Sequence, residues 1–252
     1  MPAPNLNDAL QGSRLKAFLF DLDGVLTPTV DLHKEAWRLL FEDEFAKHGV
    51  APYEGEADYV AHVDGKPRFD GVRDMLAARG ITLPEGELTD PPTADTVMGL
   101  GNRKNEMFER ALAEQGIAAY PGSLALLDAL RGTHFEAAVV SSSRNAVPVL
   151  EVARIRDRFD VIVDGVVAAA EGLPGKPAPD TYRAAAARLG LEPSECVVVE
   201  DALSGVQAGR AGDFGLVIGV DRGAGGDELI AAGADVVVDD LSELVPATEG
   251  AA

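Results

Sequence analysis

LKAFLFDLDGVLTPT, Leu15 to Thr29, is the stretch on which the reading of this chain turns. Ala17 to Phe20 are nearly continuously apolar, which predicts a parallel strand covered on both faces and not a half-exposed one that alternates. Asp21 and Asp23 then stand at its carboxyl end. In extended backbone, residues two apart project to the same side, so the two carboxylates converge, and their repulsion favours a cation or a shared proton. Gly24 permits a close backbone approach, and its N–H is expected to be free to meet an anion. An Asp-Gly turn carrying two solvated acids fits the same residues. A calcium loop does not, because the glycine arrives two positions too early for D-x-[DN]-x-[DN]-G.

Downstream, Val30 to Gly49 has helical spacing at Ala36, Leu39, Leu40 and Phe45, with Gly49 as a stop. From Ala51 to about Gly116 no strand pattern occurs. Helical patterns at Glu56 to Val63, Gly71 to Ala78 and Asn102 to Gln115 are separated by Pro67, Pro84 and the Pro91-Pro92 pair. The pattern then alternates. Helices are predicted at Ser123 to Leu130, Val147 to Arg154, Pro179 to Leu189, Ala202 to Ala211 and Asp227 to Ala231. Strands are predicted at Phe135 to Val140, Val161 to Val163, Cys196 to Val199, Leu216 to Val220 and Val236 to Val238. Alternation of this kind implies right-handed crossovers and an α/β fold, a Rossmann-like parallel sheet with helices on both faces, here interrupted by an all-α insertion.

Ligands of such sheets bind at the carboxyl ends of the strands. Ser141-Ser142-Ser143-Arg144-Asn145 follows one predicted strand and Glu200-Asp201 another, and between them Lys176 sits in GKPAPD just before a helix. Separately, the serines suit a helix cap, Lys176 a surface lysine, and Glu200-Asp201 a helix dipole. Together with Asp21 and Asp23 they put four carboxylates, a hydroxyl cluster and a lysine on one rim. That is a divalent-metal and phosphate site in outline, and hard oxygen ligands suit magnesium.

The composition sets bounds. The 252 residues are 46% hydrophobic and 25% charged, ordinary for a globular protein and long enough for a core plus a smaller domain. The net charge of −20 argues against nucleic acid as a partner and requires any anionic substrate to be met by a local cluster of cations and N–H groups. No apolar run approaches the roughly 18 residues of a membrane span, and MPAPNLNDALQGSR does not read as a secretory signal, so the expected location is cytoplasmic. Cys196 is the only cysteine, and without a basic neighbour in sequence it reads as a buried, inert thiol.

FDLDGVLTPT, the serine after the next core strand, GKPAPD and VVVEDALSGVQAG resemble, in order and over nearly the whole chain, the four motifs of the haloacid dehalogenase superfamily. The insertion resembles that superfamily's α-helical cap, and TVDLHKEAW, SSSRNA and VDGKPRFDGV are most similar to its β-phosphoglucomutase subfamily. The resemblance implies a core domain at 1–28 and 120–252 and a cap at 29–119. It makes Asp21 the nucleophile that becomes aspartyl-phosphate and Asp23 the general acid and base. Magnesium would be held by Asp21, the main-chain carbonyl of Asp23, and Asp201, with Glu200 beside it. Ser141 and Lys176 would grip the transferring phosphoryl, with Ser142 helping through its main chain. Residues matching Ser143, Arg144, Asn145 and a cap arginine, Arg103 or else its neighbour Lys104, would hold a second phosphate. Thr29 and His33 match positions that couple substrate binding to cap closure. Pro28 departs from the subfamily, standing where a hinge carboxylate is usual, and Arg144 replaces a lysine.

The function implied is Mg2+-dependent interconversion of β-glucose 1-phosphate and glucose 6-phosphate, with a small-molecule sugar phosphate as the partner and a monomer as the expected state. A sugar-phosphate phosphatase of the same architecture is the alternative. A non-catalytic phosphate and metal sensor would leave the helical insertion and Asp23 without a task, and a carbon–halogen hydrolase would leave Glu200-Asp201 without one. A dinucleotide-dependent oxidoreductase is excluded, because no G-x-G-x-x-G follows the first strand.

Overall fold

The computed structural model describes residues 14–245. Up to residue 13, the N-terminal stretch read above for a secretory signal lies outside them. By contact density the described residues fall into two units, one reaching to Pro28 and resuming at Ala118, the other Thr29–Ile117.

The first unit is built on β1 (Ala17–Phe20), in which all four residues are buried. Its two faces meet different layers. Phe18 and Phe20 stack at 5.7 Å and meet Phe135 and Phe159 edge-on. Ala17 and Leu19 join Tyr182, Val198 and Val206 in a separate cluster. After the helical unit the chain returns through α5 (Pro121–Leu130), β2 (Glu136–Val140), α6 (Ala146–Val152), β3 (Val161–Val163) and α7 (Gly165–Glu171). It continues through α8 (Asp180–Arg188), β4 (Cys196–Glu200), α9 (Leu203–Ala211), β5 (Leu216–Val220), α10 (Gly226–Ala232) and β6 (Val236–Val238). All pairings are parallel and the order is β3-β2-β1-β4-β5-β6. Strand order reverses on either side of β1, so the crevice between the ends of β1 and β4 is the switch point where such sheets bind ligands.

The helical unit comprises α1 (Val30–His48), α2 (Glu56–His62), α3 (Arg68–Ala78) and α4 (Val97–Gln115). It has its own core, including Trp37, Phe41, Phe45, Met75 and Leu100.

Three helices differ from the sequence reading. α3 starts at Arg68, not Gly71, and α4 at Val97, not Asn102, where Thr96 caps it by accepting from Gly99 N at 2.9 Å. The glycines that obscured these starts are packing devices: a Cβ on Gly101 would run into the Phe69 ring. α7 lies in a stretch with no readable apolar period. Its signature is local, with Asp164 accepting from Val166 N and Val167 N at the start and Gly172 left-handed at the end.

Candidate active site

Asp21 follows β1 directly and is buried, its N–H donating to Val199 O at 2.9 Å. The backbone of β4 thus fixes where the Asp21 carboxylate stands. Lys176 comes from the segment before α8. Its ammonium donates to Asp21 Oδ1 and to Val140 O at 3.2 Å, and pairs with Glu200 Oε1 at 2.5 Å. Glu200 ends β4, is itself buried, and accepts from the Tyr182 hydroxyl at 2.7 Å. Asp201 is half-buried beside it. One carboxylate oxygen from each of Asp21, Glu200 and Asp201 can be chosen so that all lie within 4.8 Å of one another.

The charge in this cluster is unbalanced. Burial pushes the Asp21 carboxyl well above the usual carboxylate range, opposed by Lys176 and reinforced by Glu200 and Asp23. Burial would lower the Lys176 ammonium, but Asp21 and Glu200 outweigh it and hold it above its ordinary value. One lysine therefore serves several carboxylates. A hard divalent cation suits what remains, since every donor is a carboxylate oxygen.

Gly24 belongs to the site for a reason other than the one expected. Its N–H is not open to an anion: it donates to Thr27 O at 2.8 Å, closing a tight loop in which Asp23 also bridges Thr27. Glycine is needed because φ is +86° and because a Cβ would collide with the Asp201 carboxylate.

Ser141 follows β2, is buried, and its hydroxyl accepts from Ser143 N at 3.0 Å. Ser143 in turn accepts from Asn145 N at 3.1 Å. Ser142 and Arg144 pack against Gly165, where a Cβ would press to 2.6 Å from Ser142 O. The serine run is thus folded on itself at the strand end, next to the carbonyl that Lys176 binds.

A sequence profile of haloacid dehalogenase-like hydrolases matches residues 15–213, most of the chain. The chain belongs to this family. A β-phosphoglucomutase of Mycobacterium tuberculosis (strain CDC 1551 / Oshkosh) is 46% identical over 242 residues, covering 92% of each chain. Hexitol phosphatase A of Escherichia coli (strain K12) is 34% identical over 200 residues, covering 79% of this chain and 80% of that one. The crystal structure of a Clostridium difficile β-phosphoglucomutase superposes with a TM-score of 0.72 at 26% identity, covering 91% of this chain and 93% of that one. This haloacid dehalogenase-like chain is therefore an enzyme of the phosphomutase or phosphatase type, and the non-catalytic sensor drops out. Among the described residues, no helix is long and apolar enough to cross a membrane.

The remaining candidates lie in the helical unit. Thr29 is buried and its carbonyl accepts from His33 N at 3.0 Å. His33 stacks on Phe108 at 4.1 Å, and its Nδ1 meets the ammonium of Lys104, which is buried over Trp37 and Phe108. Arg103 is engaged elsewhere: Nε donates to Pro92 O at 2.6 Å and Nη1 lies 3.6 Å from Glu44. Two residues escaped the sequence reading. Tyr182, in PDTYRAAAARL, orients Glu200, and Arg222 donates to Gly24 O at 3.0 Å. Neither carries a motif; the aromatic inside an alanine-rich helix start is the one signal available for Tyr182.

Proposed function

We propose that this chain is a magnesium-dependent β-phosphoglucomutase, interconverting β-glucose 1-phosphate and glucose 6-phosphate, with residues 29–119 as a cap on a core of 1–28 and 120–252. The observation that carries the reading is the buried Asp21 carboxylate, held by Lys176 within reach of Asp201 and Glu200, in a chain 46% identical to a β-phosphoglucomutase.

In this reading an Asp21 oxygen attacks phosphorus, the bond from phosphorus to the sugar oxygen breaks, and Asp23 gives that oxygen its proton. Asp23 then takes the proton of the incoming hydroxyl as it attacks the aspartyl-phosphate, and the Asp21 carboxylate is regenerated. Lys176 and Ser141 hold the equatorial oxygens, with the Ser142 main chain beside them, while Glu200 and Tyr182 hold Lys176. The cation, held by Asp21, Asp201 and the Asp23 carbonyl with Glu200 adjacent, would neutralise charge on the transferring phosphoryl. Ser143, Arg144 and Asn145 bind the second phosphate of a bisphosphate, Arg144 in bidentate fashion. In the cap, Thr29 and His33 respond to the substrate, and His33 does so together with Lys104. Arg103 serves the second phosphate only by exchanging Glu44 for it.

The test is one reaction containing Mg2+, β-glucose 1-phosphate and a trace of the bisphosphate, with glucose 6-phosphate and free phosphate followed together. Glucose 6-phosphate accumulating with little free phosphate is expected, and Asp21→Asn should abolish it. The second reading, a sugar-phosphate phosphatase, draws on the similarity to hexitol phosphatase A and predicts that free phosphate dominates.

A further inference from the structure

Three successive carbonyls of the loop that carries Asp23 are each held by a donor distant in sequence but within the same unit. Leu26 O accepts from Tyr120 N at 3.0 Å, Val25 O from the Ser123 hydroxyl at 2.7 Å, and Gly24 O from Arg222 Nε at 3.0 Å. The first two donors come from the start of α5. Arg222 comes from another segment, two residues beyond the end of β5, and its hold is the one adjacent to Asp23.

The guanidinium is itself fixed on several sides. Nη1 donates to Asp239 O at 2.9 Å, Nη2 lies 3.6 Å from Asp240 Oδ2, and Cζ sits 4.1 Å from the centre of the Tyr120 ring. Gly24 needs such a hold. At φ +86° it occupies a region that only glycine visits readily, and the lack of a Cβ that permits this also leaves its peptides free to rotate. Its N–H is tied to Thr27 O, and its carbonyl to Arg222.

We propose that Arg222 is a positioning residue for phosphoryl transfer: by pinning the Gly24 carbonyl it fixes the backbone on which Asp23 is carried, and so aims the acid and base. This rests on the role given to Asp23 above. The competing view is that Arg222 merely staples the segment around Asp239 and Asp240 to Tyr120. The two differ in what they predict for leaving groups. A leaving group as acidic as p-nitrophenol departs without a proton, so the first transfer to Asp21 from p-nitrophenyl phosphate does not need Asp23. A sugar alkoxide does need it.

The experiment compares the wild type, Arg222→Met and Arg222→Lys in the full chain with Mg2+. The rates are the pre-steady-state burst of p-nitrophenol and steady-state turnover of β-glucose 1-phosphate, with Tm as a control. For Arg222→Met the burst rate should stay within about threefold while kcat on the sugar phosphate falls about 10- to 100-fold with KM nearly unchanged. Arg222→Lys keeps a cation over Tyr120 but cannot span Gly24 O and Asp239 O together, so it should show the same selective loss, smaller in size. It carries the test should Arg222→Met fail to fold. A lowered Tm with both rates intact overturns the proposal in favour of a staple, and so does a parallel loss of both rates. A wild type with neither burst nor turnover overturns the phosphoryl-transfer reading itself, and the role of Arg222 with it.

Discussion

Gly24 shows how tightly single residues are specified at this site. Alanine there would meet a left-handed φ, at a cost of roughly 1–2 kcal/mol, and its Cβ would occupy the position of the Asp201 carboxylate. Gly24→Ala should therefore weaken divalent-metal affinity by about tenfold or more, as a calorimetric Mg2+ titration would read, with a drop in Tm to match. The site residues that could be read from sequence were those placed by position along a strand. Asp21, Glu200 and Asp201 had to stand at strand ends once the apolar runs were recognised. Partners supplied by folding could not be read in that way. The hydroxyl of Tyr182 on Glu200, the hold of Arg222 on Gly24, and the engagement of Arg103 by Pro92 and Glu44 all join residues remote in sequence. The burial of Cys196 was legible, and burial, with Glu195 and Glu136 nearby, pushes its thiol up to about 12.

At the scale of the element, the strands were the legible part because a parallel sheet covered on both faces writes itself as short, unbroken apolar runs. Helix starts were less so wherever glycine served packing. α9 carries the same device into the site, since a Cβ on Gly205 would overlap the Glu200 carboxylate. Alanine for glycine inside a helix ordinarily stabilises by up to about 1 kcal/mol. Gly205→Ala should instead lower Tm and reduce turnover, by displacing the carboxylate that holds Lys176. Gly226→Ala in α10 is the control. Its Cβ would find ordinary contacts, 3.7 Å from Val237 at the nearest, and Tm should hold or rise. Equal behaviour of the two variants in thermal denaturation would contradict this account of why Gly205 is a glycine.

Over the whole molecule, 42 acidic residues face 22 basic ones. Surplus like charge destabilises a compact state, and salt screens it, the Debye length shrinking to about 10 Å at 0.1 M. Tm should therefore rise by a few degrees as NaCl is raised from low ionic strength, whereas a Tm that falls would show that attractive pairs outweigh the surplus. The helical insertion was legible as a run without strands, but the closeness of the two chain ends that flank it was not, because that is set by hydrogen bonds between residues far apart in sequence. Leu26 O and Tyr120 N lie 3.0 Å apart, one just before the chain leaves the sheet unit and the other just after it returns. To the sheet, everything between them is one long loop whose ends already touch, and the entropic cost of closing such a loop grows only logarithmically with its length. A lineage can therefore lengthen, shorten or exchange that insert as a cassette, changing what is handled while Asp21, Lys176 and Asp201 keep their places.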